Sequence, residues 1–352
     1  MGGRSMGVTV ERPTPALRGV YRRLAARPAW VICALFVVGA TLGRALDVSL
    51  PPSIRYLPLA ASVVVFGLPH GAIDYLVPAR VDDCSPPRSM AAVGGLYAVF
   101  GGAYAVLWLI TPLAAAAGFI ALTWFHWGQG DVHALVAFVE ADHLDSTGLR
   151  VTTGGVRGGL PMFVPLLAFP ERYRTVVDSW VGLFGTDVSA MWLFAGGTRL
   201  VGGAVFLTVS VGVLLVGYRR DGGRGWQVDA GETALLWLFF LTVPPVVAIG
   251  VYFCVWHSLR HVLRVVAVDG TGTRTGTGPV TPRSVVVSSA REAAPTTALA
   301  LVFLVGFASL VPVAPASTAS GAAVYLVFVA VLTLPHVAVV TWMDYREGIW
   351  WG

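Results

Sequence analysis

Two histidines stand four residues apart in the segment WHSLRH, at the end of an apolar stretch. His257 and His261 share one face if this segment is helical, because residues four apart are neighbours on a helix surface. A pair with this spacing can bind one metal ion, as in zinc helices of the HExxH type. The spacing therefore favours metal binding over two separate packing roles.

Three more histidines lie in or beside apolar stretches. His70 in FGLPHGAIDYLVP is followed four residues later by Asp74, and His126 in TWFHWGQGD is followed by Asp131. His336 follows a proline in TLPHVAVVTWMD, where a lone histidine is more often a packing residue. Ionisable side chains are costly inside a membrane, so each histidine is a candidate site residue. The two carboxylates could orient ligating imidazoles by accepting their second N–H, and His336 could line the same site.

Aromatic residues flank these histidines in the sequence and could line a binding pocket. The four candidates are Trp124, Phe125, Trp127 and Trp256. The alternative role for the tryptophans is in the aromatic belt at the membrane surface. The last two histidines are expected outside the site: His133 near the end of a span, and His143 solvated in the acidic segment EADHLD.

The composition is that of a membrane protein. Hydrophobic residues make up 56% of the 352 residues and charged residues only 12%, whereas soluble domains carry about 25% charged residues. The apolar runs are continuous rather than alternating, which favours membrane helices over a β-barrel. The net charge of +5 comes from arginine alone, since the chain has no lysine. We expect these arginines to set membrane topology and not to bind nucleic acid.

We predict an all-α, polytopic transmembrane bundle of about eight to ten spans in the cell membrane, with the metal site inside it. The predicted spans are 30–46, 57–78, 91–111, 113–138, 151–169, 191–217, 232–257, 297–313 and 322–343. The pair Pro244-Pro245 should kink or break the seventh span. Arginines mark the loops on both sides of this span as cytoplasmic, which one span cannot satisfy. Either the break forms a re-entrant pair, or one span is wrongly assigned.

The chain divides into three parts. Residues 1–29 form an arginine-rich segment that we expect in the cytoplasm, residues 30–343 a transmembrane catalytic domain, and residues 344–352 a C-terminal tail. Within the domain, residues 269–282 (DGTGTRTGTGPVTP) are predicted to be a flexible Gly/Thr-rich loop.

Residue chemistry alone predicts three or four neutral imidazoles converging inside the bundle. Such a site suits zinc, copper, iron or nickel, and the spacing does not choose among them. Two other functions use the same residues: a transporter with a histidine-lined path, and a haem protein in which His70 and His126 face each other. Neither would cleave a substrate.

Three segments in this order, PHGAIDY, FHWGQGD and WHSLRH, resemble the Brp/Blh family of membrane-bound β-carotene 15,15′-dioxygenases. RGGLPMFVP at 157–165 resembles the arginine segment of that family, and LPH at 334–336 resembles its late histidine. The resemblance extends from about residue 57 to residue 343. Each motif is weak singly, but the three together are specific.

The resemblance implies a reaction and a cofactor. β-Carotene would be cleaved by O₂ at its central double bond to give two molecules of all-trans-retinal. The implied cofactor is non-haem Fe²⁺, held by His70, His126, His257 and His261. The implied partners are β-carotene, O₂ and membrane lipid, and an opsin could be a downstream consumer of retinal. The chain itself is not expected to be an opsin, because it has no lysine for a Schiff base.

Overall fold

A computed structural model shows a bundle of α-helices and describes residues 12–48, 50–82, 84–189, 191–268 and 280–350. Within these ranges the chain forms no β-strand, and the predicted all-α class is confirmed. Most of the predicted Gly/Thr-rich loop, residues 269–279, lies outside the described residues, as do residues 1–11 of the arginine-rich segment.

We number the main helices α1 to α11 in chain order: α1 Pro15–Ala45, α2 Leu57–Val81, α3 Pro86–Ile110, α4 Pro112–His133, α5 Thr147–Ala168, α6 Pro170–Gly182, α7 Gly196–Arg220, α8 Arg224–Thr242, α9 Pro245–Val268, α10 Pro282–Leu310 and α11 Thr318–Glu347. Wider π-helical turns over Ala134–Val139 continue α4.

Seven of these helices have both the length and the hydropathy of a membrane span: α1, α2, α3, α7, α9, α10 and α11. Three more, α4, α5 and α8, contain 22, 22 and 19 residues. At about 1.5 Å per residue each is about 30 Å long, which is the thickness of the hydrocarbon core. Buried polar residues make these three less apolar. The chain is thus a multi-pass helical bundle, as predicted.

The proline pair breaks the predicted seventh span into two helices. α8 ends at Thr242 and α9 begins at Pro245, because proline lacks the N–H that a continuous helix needs. The two helices form a hairpin. Phe240 and Tyr252, on either side of the break, have ring centroids 5.5 Å apart. Farther from the break, Arg260 Nη2 of α9 lies 2.6 Å from Glu232 Oε1 of α8.

This hairpin removes the topology conflict in the sequence prediction. Because α8 and α9 run in opposite directions, the first residue of α8, Arg224, and the last residue of α9, Val268, lie at the same end of the bundle. A single span over 232–257 was therefore the wrong assignment.

Loop contacts separate the two ends of the bundle. One end of the bundle, which we call the arginine-rich end, has three ion pairs between helix ends and loops: Arg18–Glu140, Arg220–Asp145 and Arg346–Asp82. At the opposite end, the Val313 amide donates to the Leu183 carbonyl over 3.1 Å. Successive membrane helices run between these ends in alternating directions.

Two helical segments were missed by the span prediction, because they are too polar to resemble a membrane span: the first part of α10 and the whole of α6. α10 begins at Pro282, fifteen residues before the expected start at 297, and Thr281 and Ser284 form a capping box there. α6 was not predicted. It carries charged residues on one side and buries Val177, Trp180 and Val181 on the other.

Glycines let α4 and α5 approach each other closely. A Cβ on Gly158 would collide with the carbonyl oxygen of Trp124, and one on Gly128 would collide with the carbonyl oxygen of Gly154. Small residues at such crossings are typical of membrane helix pairs. This contact fixes the height of α4, which carries His126.

We predict that Gly158→Ala destabilises the protein by about 3 kcal/mol, because the added methyl group meets a backbone atom that cannot move aside. The matched control is Gly155→Ala on the same helix, where a Cβ would meet nothing within 4 Å. Thermal unfolding of the two variants in detergent, followed by size-exclusion chromatography, measures the difference. Equal midpoints would show that the close crossing does not limit stability.

Candidate metal centre

Four histidines from four helices converge in the interior. His70 of α2, His126 of α4, His257 of α9 and His336 of α11 each place a ring nitrogen within 4.8 Å of the others, and all four are buried. The Nε2 atoms of His126 and His257 are 3.0 Å apart. Two lone pairs at this distance repel, so a proton or a metal ion is needed between them.

Irregular helix geometry accompanies three of these histidines. His70 follows a proline, and its helical turn ends at Gly71. His257 lies in the π-helical turns Tyr252–Ser258, and π-bulges occur frequently at functional sites. His336 follows a proline inside α11. The local departures from a regular α-helix turn these side chains toward one point.

His261 lies beside the four-histidine group. Its ring centroid is 4.9 Å from that of His336 and 5.4 Å from that of His70. Its Nε2 is 3.8 Å from Oδ1 of Asp74, and these two residues form a second possible donor group with His336. Three of the four sequence-predicted ligands, His70, His126 and His257, thus belong to the four-histidine group. The fourth, His261, lies beside the group, and His336 completes it.

Asp74 holds His336 in place. The Nδ1–H of His336 donates to Asp74 Oδ2 over 2.7 Å, and the Tyr97 hydroxyl donates to the same oxygen over 2.6 Å. Gly71 packs beside this pair, and a Cβ there would be in ordinary contact, 3.6 Å from His336 Nδ1. A carboxylate acceptor fixes the proton on Nδ1 and leaves the Nε2 lone pair free.

Tyr97 was not among the sequence candidates, because it lies in the apolar run GGLYAVFGG without a nearby ionisable residue. The sequence did contain one indication of its role, a tyrosine hydroxyl group among small residues in a predicted span. Such a hydroxyl must find a partner within the protein.

Other ring nitrogens are also oriented by acceptors. His70 Nδ1 donates to the carbonyl of Gly67, one turn earlier in the same helix. His126 Nδ1 lies 3.4 Å from Oε1 of Gln129, whose amide donates to Thr341 Oγ1 over 3.0 Å. Both rings therefore direct Nε2 toward the cluster. The Nε2 atoms of His261 and His336 are buried and have no hydrogen-bond partner among the described residues. Nitrogen atoms with a free lone pair in this position fit a bound metal ion.

Asp131 faces a different cluster. It accepts from Trp256 Nε1 over 3.0 Å and pairs with Arg157 Nε over 2.9 Å and with Arg260 Nη1 over 3.3 Å. Arg260 also lies over the Trp256 ring, 4.2 Å from its centroid. Arg260 is thus a buried partner of carboxylates.

We call this group, with Glu232, the ionic cluster. Glu232 pairs with Arg157 and Arg260, and its Oε1 accepts from Trp30 Nε1 of α1 over 2.8 Å. The cluster extends to Asp229, which accepts from His143 Nε2 over 3.1 Å. The expectation that His143 is solvated was wrong: its ring is buried because α7 and α8 pack over it.

The four predicted aromatic residues have different surroundings. The Trp127 ring lies 5.8 Å from that of His257, at the wall of a cavity. Trp124 donates to the Gly155 carbonyl over 2.7 Å, and Phe125 is 47% exposed on the outside of the bundle. Trp256 belongs to the ionic cluster. His133, expected outside the site, lies near Glu347 at the arginine-rich end.

A cavity of about 1090 Å³ reaches the histidines and is bounded mainly by apolar side chains. In the interior of the bundle, its wall includes Phe119, Trp127, Phe253 and Phe328. Leu299, Val302 and Phe303 of α10 also line it, and they are 53, 68 and 60% exposed on the outside of the bundle. The cavity therefore opens sideways, on a surface that would face lipid.

Comparison with known proteins agrees with this geometry. A family model described as β-carotene 15,15′-dioxygenase matches residues 61–344. A relative from Halobacterium salinarum named probable β-carotene 15,15′-dioxygenase Blh is 50% identical over 98% of this chain and 100% of its own length. A second protein of that species, named probable β-carotene 15,15′-dioxygenase Brp, is 30% identical over 91% of each chain.

A β-carotene 15,15′-dioxygenase from an uncultured marine bacterium is 25% identical over 57% of this chain and 66% of its own length. No solved structure matches the chain. The resemblance predicted from the three histidine motifs is confirmed: the chain belongs to the β-carotene 15,15′-dioxygenase family.

Proposed function

We propose that this chain cleaves β-carotene at its central 15,15′ double bond with O₂, giving two molecules of all-trans-retinal. The observation that carries this proposal is a buried histidine cluster at the wall of a largely apolar cavity that opens toward the membrane side. The names of the relatives supply the substrate and the bond.

The cofactor that we propose is Fe²⁺. Its protein ligands would include His70, His126, His257 and His261, as the family resemblance implies. Imidazole donors suit iron among several transition metals, and bound Fe²⁺ would supply the activation of O₂. Burial keeps these rings uncharged and away from water, and acceptors near Nδ1 orient those of His70 and His126.

The cavity wall would bind and position the substrate. A long hydrocarbon has no hydrogen-bonding groups, so contact with apolar and aromatic walls is the interaction that can hold it. Phe253 and Trp127 flank His257 and would lie against the polyene near the metal. The opening beside α10 would admit carotene directly from the hydrocarbon core.

The orientation follows from charge. Arginine is enriched in cytoplasmic loops, so we propose that the arginine-rich end and the N-terminus face the cytoplasm of a cell membrane. An opsin would use the retinal downstream.

Carotene cleavage in cells tests the proposed reaction. Expression in a bacterial host that accumulates β-carotene should bleach the pigment and produce retinal. His257→Ala should reduce the yield of retinal by at least about 100-fold. Loss of an outer partner of a metal ligand already lowers activity by up to about 100-fold, and loss of the ligand itself should cost no less. His133→Ala is the matched control, since it removes a buried histidine outside the cluster, and its retinal yield should resemble that of the parent. Pigment extraction and chromatography measure both. Unchanged carotene with well-expressed, iron-loaded parent protein would refute the proposed reaction.

Filling the cavity tests the proposed binding path. Gly306 of α10 lines it, and a Cβ there would meet nothing within 4 Å. Gly306→Trp should therefore fold and retain bound iron while lowering carotene cleavage at least about tenfold, because the indole occupies space needed by the substrate. Gly212→Trp is the control, since Gly212 of α7 is equally uncrowded and lies outside the cavity wall. Equal cleavage rates in the two variants would contradict the proposed binding path.

A further inference from the structure

His336 is close to most rings of the histidine cluster. Its ring centroid lies 4.9 Å from that of His70, 4.7 Å from that of His126 and 4.9 Å from that of His261. The ring of His261, by comparison, lies 6.4 Å from that of His126. His336 also belongs to both possible donor groups.

The orientation of His336 leaves one nitrogen free. Its Nδ1–H is committed to Asp74, whose Oδ2 is also bound by the Tyr97 hydroxyl. Its Nε2 is buried and has no hydrogen-bond partner among the described residues. A packing histidine would satisfy both nitrogens, since a buried polar atom without a partner costs free energy. An oriented ring with a free Nε2 is instead the arrangement of a metal ligand with its outer carboxylate.

We propose that His336 is a further protein ligand of the metal through Nε2, with Asp74 and Tyr97 as its positioning residues. This inference rests on the proposed function for the identity of the metal, and it extends the ligand set implied by the family motifs. Five imidazoles on a six-coordinate ion would leave one position for an exogenous molecule, whereas four would leave two.

Metal affinity of the purified protein in detergent tests the proposal. Co²⁺ is the probe, since its visible absorption reports the number of ligands, and competition with a chelator gives its affinity. His336→Ala should weaken Co²⁺ binding by at least about 10–100-fold and change the absorption spectrum. Tyr97→Phe, which removes only one hydrogen bond to Asp74, should weaken binding by a smaller factor. His133→Ala should leave affinity and spectrum unchanged.

Chemical rescue separates a ligand from a packing residue. In His336→Gly, added imidazole should restore the parent spectrum and affinity, because free imidazole can occupy the vacated position. Parent-like Co²⁺ affinity and spectrum in His336→Ala would overturn the proposal. So would a weakened His336→Gly variant that imidazole does not rescue.

The control for the proposed function is the parent protein. If the parent binds metal, loses it in His336→Ala and yet does not cleave β-carotene, the ligand assignment stands and the proposed reaction fails. If the parent cleaves carotene while the His336 variants keep their metal and spectrum, the reaction stands and the ligand assignment fails. Should His336→Ala not fold, Tyr97→Phe carries the test, and an unchanged affinity in that variant would overturn the role of the Asp74–Tyr97 pair.

Discussion

A polar group buried between membrane helices has no water to bind, so its partner must come from the chain itself. The ionic cluster meets this constraint by joining five helices, through Trp30 of α1, Asp131 of α4, Arg157 of α5, Glu232 of α8 and Arg260 of α9. Removal of one partner from a buried ion pair costs about 3–5 kcal/mol, so the charged residues favour one arrangement of their helices. The cluster therefore holds α4 and α9, and with them His126 and His257, at fixed positions.

The other side of the histidine cluster is held by a smaller polar group. Asp74 of α2 binds His336 of α11 and Tyr97 of α3, so one carboxylate joins three helices. The histidines of α2 and α11 thereby meet those of α4 and α9 at a common centre. Two independent polar groups thus position the four helices, and the apolar cavity occupies space that neither group fills.

The helical class, the break at Pro244-Pro245 and the convergence of the histidines were predictable from hydropathy, proline chemistry and motif spacing. The direction of individual side chains was not. Asp131 is five residues from His126, which places it about 140° around the helix and toward the ionic cluster. Phe125, next to His126, faces outward for the same reason. No local pattern links Tyr97 to Asp74, because tertiary packing alone brings them together.

The choice of imidazole donors follows from the same constraint as the ionic cluster. Carboxylate ligands would add buried negative charge that needs arginine partners when no metal is bound, whereas a neutral imidazole needs only an acceptor for one N–H. Backbone irregularities supply the required directions at low cost: the turn ending at Gly71 directs His70, and the π-helical turns around His257 rotate it relative to a regular helix. Asp74 is the exception, and its charge is compensated by two donated hydrogen bonds. A metal site of this kind can therefore exist beside an apolar cavity without drawing water into it.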